Sequence, residues 1–378
     1  MRISWCQVVI EVAVVPVESI AVVVPMDGHR DGVADEGTKE CILQAHRYQD
    51  RYFGFMDKLM EYEKIVPSMG MSLFYDEIYS SGLDRTARFP VDRYRLIAEQ
   101  IAKEAENELI SMKQPRMAIR SEILSAHEPD YVDRFLAQNL RENEIRRIGL
   151  RPWKPEIVER TMRLVGGALD GLDLLAKGEK IAGNMAGGTH HAFRSEGSGY
   201  CIFNDLAVCA NLALGREQAS HILILDLDVH QGDGTAEIFK EENRVFTVSL
   251  HGQDNFPFRK KNSDLDLGFP KGTEDAEYLD GLKITLDRLE DLPVDLLFFQ
   301  AGVDGLREDA LGLLNLSREG LSQRNQMVFD WRRERDVPML IFMGGGYAKP
   351  IESTVDAFTD LFIGAAREYQ ACLSGPVS

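Results

Sequence analysis

The sequence has little cysteine and no paired cysteine motif. Only five cysteines occur among its 378 residues, and none belongs to a C-x-x-C pair. An odd and scattered set of thiols disfavours both a disulfide-bonded secreted fold and a structural zinc knuckle. We therefore predict a reducing compartment and a cytoplasmic location.

Long hydrophobic runs are also missing. The most apolar stretch near the start, residues 8–24, is interrupted by Glu11, Pro16 and Glu18. A membrane-spanning helix needs about 20 predominantly apolar residues, and a signal peptide needs a basic segment before an unbroken apolar one. Neither pattern is present, so we expect no membrane partner.

Positive charge is in short supply. Lys and Arg number 43 against 61 Asp and Glu, which gives a net charge of −18. An acidic surface repels phosphate backbones, so we expect no direct nucleic-acid binding. The same surface attracts cationic substrates, and lysine-rich peptides and polyamines both qualify.

Apolar residues are abundant enough for one large domain. They make up 44% of the chain, which suffices for a full core at this length. Continuous apolar runs predict strands at residues 72–75, 222–225, 296–300 and 339–342. Helical periodicity predicts helices at residues 91–108, 157–176, 206–214, 276–289 and 317–334. This alternation predicts an α/β fold, in which a mostly parallel multi-stranded sheet carries helices on both faces.

Three polar residues follow one predicted strand. Asp226, Asp228 and His230 come directly after the apolar run 222–225, and alternation along an extended chain would turn them to one side. Two carboxylates and an imidazole are costly to bury in an apolar core, and they are suitable ligands for a divalent metal ion. In α/β proteins this end of the sheet binds ligands.

Other apolar runs are also followed by residues that can take part in catalysis. His190 and His191 lie in a glycine-rich segment after a short apolar run, and adjacent imidazoles suit acid–base work. Asp304 and Tyr347 each follow a predicted strand, Tyr347 after a glycine triplet. The repeated placement of these side chains just past a strand predicts one shared site.

Six segments resemble the zinc-dependent histone deacetylase family of the arginase/deacetylase superfamily. They are residues 188–192, 199–205, 226–234, 247–251, 301–304 and 344–347, which read GTHHA, GYCIFND, DLDVHQGDG, TVSLH, AGVD and GGGY. The chain is most similar to the bacterial and class IV-like branch, through residues 88–96, 147–150, 263–266 and 272–278. The resemblance implies a single deacetylase catalytic domain with the arginase/deacetylase fold over residues 66–378.

Residues 1–65 have no counterpart in this resemblance, which begins near residue 71. We expect them to be an appended extension, disordered, or an upstream start that is not used. Residues 27–40 are polar and contain glycine, which is typical of a linker. Residues 41–65 are predicted to form one helix.

The resemblance implies a zinc-dependent deacetylase, a hydrolase of linear amide C–N bonds. Such an enzyme removes acetyl or other acyl groups from lysine side chains with a metal-activated water. The implied metal ligands are Asp228, His230 and Asp304. Zn²⁺ is the expected ion, and Fe²⁺ is the alternative because this ligand set is harder than the usual His-rich zinc site.

The resemblance also assigns catalytic roles. Asp226 would hold His190 and Asp233 would hold His191, which sets the tautomer of each imidazole. His191 would be the general base, and His190 would stay charged and stabilise the developing anion. Tyr347 would donate a hydrogen bond to the amide carbonyl.

A narrow substrate tunnel is implied as well. Gly199 and Tyr200 would form one wall, with Tyr in place of the usual Phe, and Phe256 or Phe258 would form the other. Leu311 falls where polyamine-selective relatives carry an acidic residue, which argues against polyamine selectivity. The expected partner is an acyl-lysine protein or peptide, or a small acylated amine. A structural K⁺ site is implied at Asp226, Asp228, His230, Ser249 and Leu250.

Three other functions stay open at this point. A deacetylase of acetylpolyamines or other small amides would share the catalytic residues. An arginase-like ureohydrolase would need a second metal ion and a second D-x-D set, which residues 304–309 (DGLRED) lack. A non-catalytic acyl-lysine or acetate-sensing module would need none of the catalytic residues. The natural substrate, the acyl chain length and the oligomeric state are left open.

Overall fold

Eight strands form one parallel sheet in the computed structural model, which describes residues 70–81, 83, 89–106 and 108–374. The strands are Met71–Phe74 (β1), Ile110–Lys113 (β2), Ile181–Asn184 (β3), Ile222–Asp226 (β4), Val245–Gly252 (β5), Leu265–Phe269 (β6), Leu296–Gln300 (β7) and Met339–Phe342 (β8). Their order across the sheet is β2-β1-β3-β8-β7-β4-β5-β6. The predictions for residues 1–65 lie outside the described residues.

The central strands are apolar because both faces of the sheet are covered. Every residue of β3, β4, β7 and β8 is buried. In β4 and β7 this produces the continuous runs ILIL and LLFF. A half-exposed sheet would instead show alternating polar residues. The sequence pattern and the burial therefore agree.

Helices connect the strands. They are Arg93–Glu104 (α1), Arg120–Ile123 (α2), Pro129–Leu136 (α3), Glu142–Ile148 (α4), Glu156–Ala176 (α5), Asp205–Gly215 (α6), Asp233–Phe239 (α7), Asp275–Arg288 (α8), Arg318–Glu334 (α9) and Glu352–Ser374 (α10). β1 and β3 contact both α5 and α10. Within the described part of the chain, no helix is long and apolar enough to cross a membrane.

The topology determines where the strands end. β4 lies between β5 and β7, and β8 follows β7 on the other side. The register pairs Asp226 of β4 with Gln300 of β7, and Gln300 with Phe342 of β8. Because the strands are parallel, the segments after β4, β7 and β8 all leave the sheet at the same edge.

Candidate active site

The predicted metal ligands meet at this edge of the sheet. Asp228 and His230 come from the segment after β4, and Asp304 comes from the segment after β7. Nδ1 of His230 lies 3.0 Å from Oδ1 of Asp228 and 3.0 Å from Oδ2 of Asp304. All three side chains are buried. Among the described residues, no other group of three His, Cys, Asp or Glu side chains brings its ligand atoms so close, within 4.8 Å.

The charge of the cluster indicates whether a divalent cation fits between these side chains. Burial acts to lower the pKa of His230, but hydrogen bonds to two carboxylates outweigh it and raise the pKa to about 10. Burial, followed by the charge of Asp228, raises the pKa of Asp304 to about 7. Two buried carboxylates in contact require a positive charge beside them. The donor set and its charge therefore fit a divalent metal ion.

Hydrogen bonds orient both carboxylates. Oδ2 of Asp228 accepts the N–H of Gly345 at 2.7 Å and the side-chain amide of Gln300 at 3.1 Å. Oδ1 of Asp304 accepts the N–H of Val229 at 2.9 Å. A Cβ atom at Gly345 would lie 2.0 Å from Oδ2 of Asp304. Only glycine lets the chain pass this close to the ligands.

Two buried histidine–aspartate pairs lie beside the cluster. Nδ1 of His190 is 2.6 Å from Oδ2 of Asp226, and Nδ1 of His191 is 2.7 Å from Oδ1 of Asp233. Asp226 is the last residue of β4. The predicted strand alternation therefore ends there, and the Asp226 carboxylate contacts His190 instead of joining the metal cluster.

The two imidazoles have opposite pKa shifts. Burial acts to lower the pKa of His190, but the charges of Asp226 and Asp228 raise it to about 9. Burial, followed by the charge of His190, lowers the pKa of His191 to about 4 against the effect of Asp233. The ring centroids are 4.1 Å apart. Neighbouring groups with opposite shifts are suited to different chemical roles.

Asp205 and Asn204 hold the backbone of the histidine loop. The Asp205 carboxylate accepts the N–H groups of Gly188 at 3.0 Å and Thr189 at 2.8 Å. The Asn204 amide donates to the carbonyl of Ala192 at 3.2 Å. No role is predicted for either residue from the sequence. Their position at the start of a predicted helix, where polar capping residues are expected, was the available signal.

Tyr347 lies where the glycine triplet ends. Its N–H donates to Oδ2 of Asp309 at 2.6 Å. Arg93 donates to the carbonyls of Gly344 and Gly346, each at 3.1 Å. Burial raises the pKa of Tyr347 well above its ordinary value. The hydroxyl therefore keeps its proton and can act as a hydrogen-bond donor.

A cavity reaches the cluster, and Asp228 and His230 form part of its lining. Gly199 and Tyr200 line it, together with both histidines and Tyr347. The ring of Phe256 lies 4.9 Å from that of His191, centroid to centroid. Phe258 is 88% exposed. Of the two phenylalanines that the sequence left open as the second wall, Phe256 therefore contacts His191, and Phe258 is exposed beside Phe256.

Leu311 lies beside the Phe256 segment. Its carbonyl accepts a hydrogen bond from the side chain of Asn255 at 3.0 Å, and its N–H donates to Asp309 at 2.8 Å. Leu311 is not among the described residues that line the cavity. The structure thus brings Leu311 next to Asn255, without placing it in the cavity lining.

The residues of the predicted monovalent-cation site are neighbours. Ser249 pairs with Asp226 in the register of β4 and β5, and Leu250 follows Ser249. The Ser249 hydroxyl lies 3.0 Å from Nδ1 of His251. K⁺ binding at these residues stays a prediction.

His127 links the histidine loop to the start of α6. Its Nε2 accepts the N–H of Asn204 at 2.9 Å, and its Nδ1 lies 2.9 Å from the carbonyl oxygen of Phe193. Because a backbone N–H is always a donor, Nε2 is unprotonated and Nδ1 carries the hydrogen. Burial lowers the pKa of His127 to about 4.

We predict that His127 makes the fold sensitive to acid. Its pKa is about 4 in the folded protein against an ordinary 6.5. Between these two values, His127 is therefore protonated in the unfolded chain and neutral in the folded chain. The free energy of unfolding then falls as the pH drops, by about 2 kcal/mol at pH 5 from this group. His127→Gln keeps a donor and an acceptor without titrating, so urea unfolding at pH 7 and pH 5 should show a smaller fall. An equal fall in both proteins would contradict this role.

Comparisons with known proteins identify relatives over most of the chain. Residues 87–362 match a family model described as the histone deacetylase domain. An uncharacterized protein of Picosynechococcus sp. is 41% identical over 288 residues, which cover 76% of this chain and 95% of that protein. Histone deacetylase 2 of Arabidopsis thaliana is 27% identical, with 75% of this chain and 76% of that protein covered. The acetoin utilization protein AcuC of Staphylococcus aureus is 29% identical, with 81% and 79% covered.

Solved structures share the fold. A histone deacetylase (HDAC) homologue from Aquifex aeolicus superposes with a TM-score of 0.68 at 24% identity, covering 81% of this chain and 89% of that chain. An HDAC homologue complexed with SAHA matches with the same TM-score and identity, covering 81% and 88%. These likenesses confirm the predicted architecture of a parallel sheet with helices.

Proposed function

This chain belongs to the histone deacetylase family, and we propose that it hydrolyses the amide bond of acylated lysine side chains with one divalent metal ion, Zn²⁺. The observation that carries the proposal is the grouping of the buried Asp228, His230 and Asp304 with two histidine–aspartate pairs around one cavity. Turnover of an acetyl-lysine peptide, abolished by a chelator and restored by Zn²⁺, is the direct test.

The metal ion, when bound, supplies Lewis-acid activation of water and of the amide carbonyl. Nδ1 of His191 is engaged by Asp233, which leaves Nε2 as the nitrogen that exchanges protons. His191 takes a proton from the attacking water there and gives it to the leaving amine. His190, held by Asp226, carries positive charge that stabilises the developing anion. The Tyr347 hydroxyl donates to the carbonyl oxygen of the substrate.

A single metal ion is favoured over two. The described residues contain one cluster of suitable ligands, whereas an arginase-like ureohydrolase needs two metal sites. Zn²⁺ and Fe²⁺ both suit an Asp/His/Asp set. Elemental analysis of protein purified without added metal distinguishes the two ions, and one equivalent per chain is the expected content.

Acyl-lysine is the proposed substrate because the cavity and the surface charge suit a cationic chain with an alkyl stem. Tyr200 and Phe256 place aromatic rings by the cavity, and aromatic faces pack well against methylene groups. The net charge of −18 attracts lysine-rich peptides. We propose that SAHA, which binds an HDAC homologue of the same fold, also binds in this cavity.

Substrate choice provides a prediction at Leu311. We expect an acetyl-lysine peptide to be cleaved faster than acetylated polyamines, because Leu311 offers no carboxylate to a distal ammonium group. Leu311→Glu should narrow or reverse that preference by about tenfold or more, which corresponds to about 1.4 kcal/mol. The measurement is kcat/KM for both substrates, with Leu311→Gln as the uncharged control. A wild-type preference for polyamines would contradict this substrate assignment and leave the amidohydrolase proposal intact.

Residues 1–65 are proposed to be dispensable. The family match begins at residue 87, and the sheet begins at Met71. We expect a chain that starts at Met69 to be soluble, to bind one metal ion and to keep the turnover of the full chain. Size-exclusion chromatography, elemental analysis and the peptide assay check this. An insoluble or metal-free product would show that the catalytic domain needs the extension.

A further inference from the structure

Arg324 is a fully buried cation directly beneath the ends of β4 and β7. It lies on α9 and is 1% exposed. Its guanidinium group donates to the carbonyl oxygens of Gly302 at 2.6 Å, Ala301 at 3.2 Å and Leu227 at 3.3 Å. Asn325 supplies a fourth acceptor, at 2.9 Å and 3.1 Å.

The accepted carbonyls belong to the two segments that deliver the metal ligands. Leu227 lies directly before Asp228, and Gly302 lies two residues before Asp304. One side chain therefore connects both segments. An arginine suits this task because its planar fork offers five N–H donors, whereas a lysine ammonium is a single point of charge.

The connection extends to a ligand carboxylate. A Cβ atom at Gly302 would lie 2.3 Å from Oδ2 of Asp228, so the Gly302 backbone is packed against that side chain. A shift of Gly302 by a few tenths of an ångström would move Asp228 relative to Asp304. The hydrogen bond from Arg324 to the Gly302 carbonyl is the shortest of its set, and it opposes such a shift.

The partners of Arg324 are also unusual for a buried cation. They are carbonyl and amide oxygens rather than a carboxylate. Burying a charge without a carboxylate partner is costly. A functional role beside the metal ligands would explain why the chain keeps a buried arginine here. Burial lowers the pKa of Arg324, and Tyr278, Asp304 and Asp228 act against that effect.

We propose that Arg324 is a positioning residue of the metal centre, which holds the segments after β4 and β7 at the spacing that Asp228, His230 and Asp304 need to share one ion. The inference rests on the metal site of the proposed function. Groups that orient metal ligands typically contribute 10–100-fold to metal affinity. Arg324→Met should therefore weaken Zn²⁺ binding by about that factor.

The test compares two buried arginines of the same helix. Arg332 is also fully buried on α9, but it donates to the carbonyl of Val337 and contacts Cys372, away from the site. The Zn²⁺ dissociation constant is measured by chelator competition for the wild type, Arg324→Met, Arg324→Lys and Arg332→Met. Thermal unfolding is recorded for each protein with and without metal.

Arg324→Met is expected to lose Zn²⁺ affinity and to show a smaller stabilisation by metal than the wild type. Arg332→Met should lower the melting temperature with its metal affinity unchanged. Arg324→Lys keeps the positive charge and loses the planar guanidinium group, so its Zn²⁺ affinity should lie between those of the wild type and Arg324→Met. It serves for the comparison if the methionine variant does not fold.

Unchanged Zn²⁺ affinity in the folded Arg324 variants, with an equal loss of melting temperature in the metal-free and metal-loaded proteins, would overturn the inference. It would show that Arg324 acts on the fold alone. A wild-type protein that binds no divalent metal would instead overturn the proposed function, so the two failures are distinguishable.

Discussion

We expect the Asp228→Ala variant to fold but to bind no divalent metal ion. Its turnover should fall by about 10³-fold or more. Asp228 contacts His230 at 3.0 Å and is oriented by Gly345 and Gln300. Without its carboxylate, two protein ligands remain, which is one fewer than a catalytic zinc site holds. A metal ion contributes several kcal/mol of transition-state stabilisation, and about 1.4 kcal/mol corresponds to each tenfold change in rate.

Elemental analysis and the peptide assay check this prediction together. Asp228→Asn keeps the shape of the side chain and loses its charge, so it should also lose the metal. Asp336→Ala is the matched control, because Asp336 is a carboxylate that pairs with Lys180 at the surface. Full metal content and activity in Asp228→Ala would mean that the ion binds elsewhere.

The second large effect is expected at His191 and Tyr347, without any change in metal content. A general acid–base group typically contributes about 10²–10⁴-fold to the rate, so His191→Ala should lower kcat by that range. An oxyanion donor contributes about 10²–10³-fold, which is the loss expected for Tyr347→Phe. The phenylalanine ring keeps the packing against Phe89 and Arg93, so only the hydroxyl is removed.

Surface residues supply the controls for these two variants. His221 is about half exposed beside Asp295, and Tyr75 packs against Tyr79 and does not line the cavity. His221→Ala and Tyr75→Phe should therefore retain kcat. A loss under about threefold in either site variant, with the metal still bound, would mean that the assigned role is wrong, since it would lie far below the expected contributions.

The strands that carry the site were predictable because both of their faces are buried. The runs predicted at residues 222–225, 296–300 and 339–342 correspond to β4, β7 and β8 within one residue. β2, β5 and β6 were not predicted as strands; β2 and β6 are the edge strands, and their exposure is mixed. The short helices α2, α3, α4 and α7 were missed because each is too brief for a helical period to emerge.

One missed helix did leave a signal. α10 buries Phe358, Leu361, Phe362 and Ala365, which recur at intervals of three and four residues. That spacing is typical of a helix with one apolar face.

The sequence by itself determined which residue types stand at the strand ends, because an apolar run followed by carboxylates and imidazoles is a local pattern. The tertiary structure decided that Phe256, rather than the exposed Phe258, contacts His191. It also brought Asp205 and Arg324 into hydrogen bonds with the segments that carry the site. Both act on backbone N–H or carbonyl groups, which every residue has. Such contacts leave no pattern in a sequence and exist only once the chain has folded.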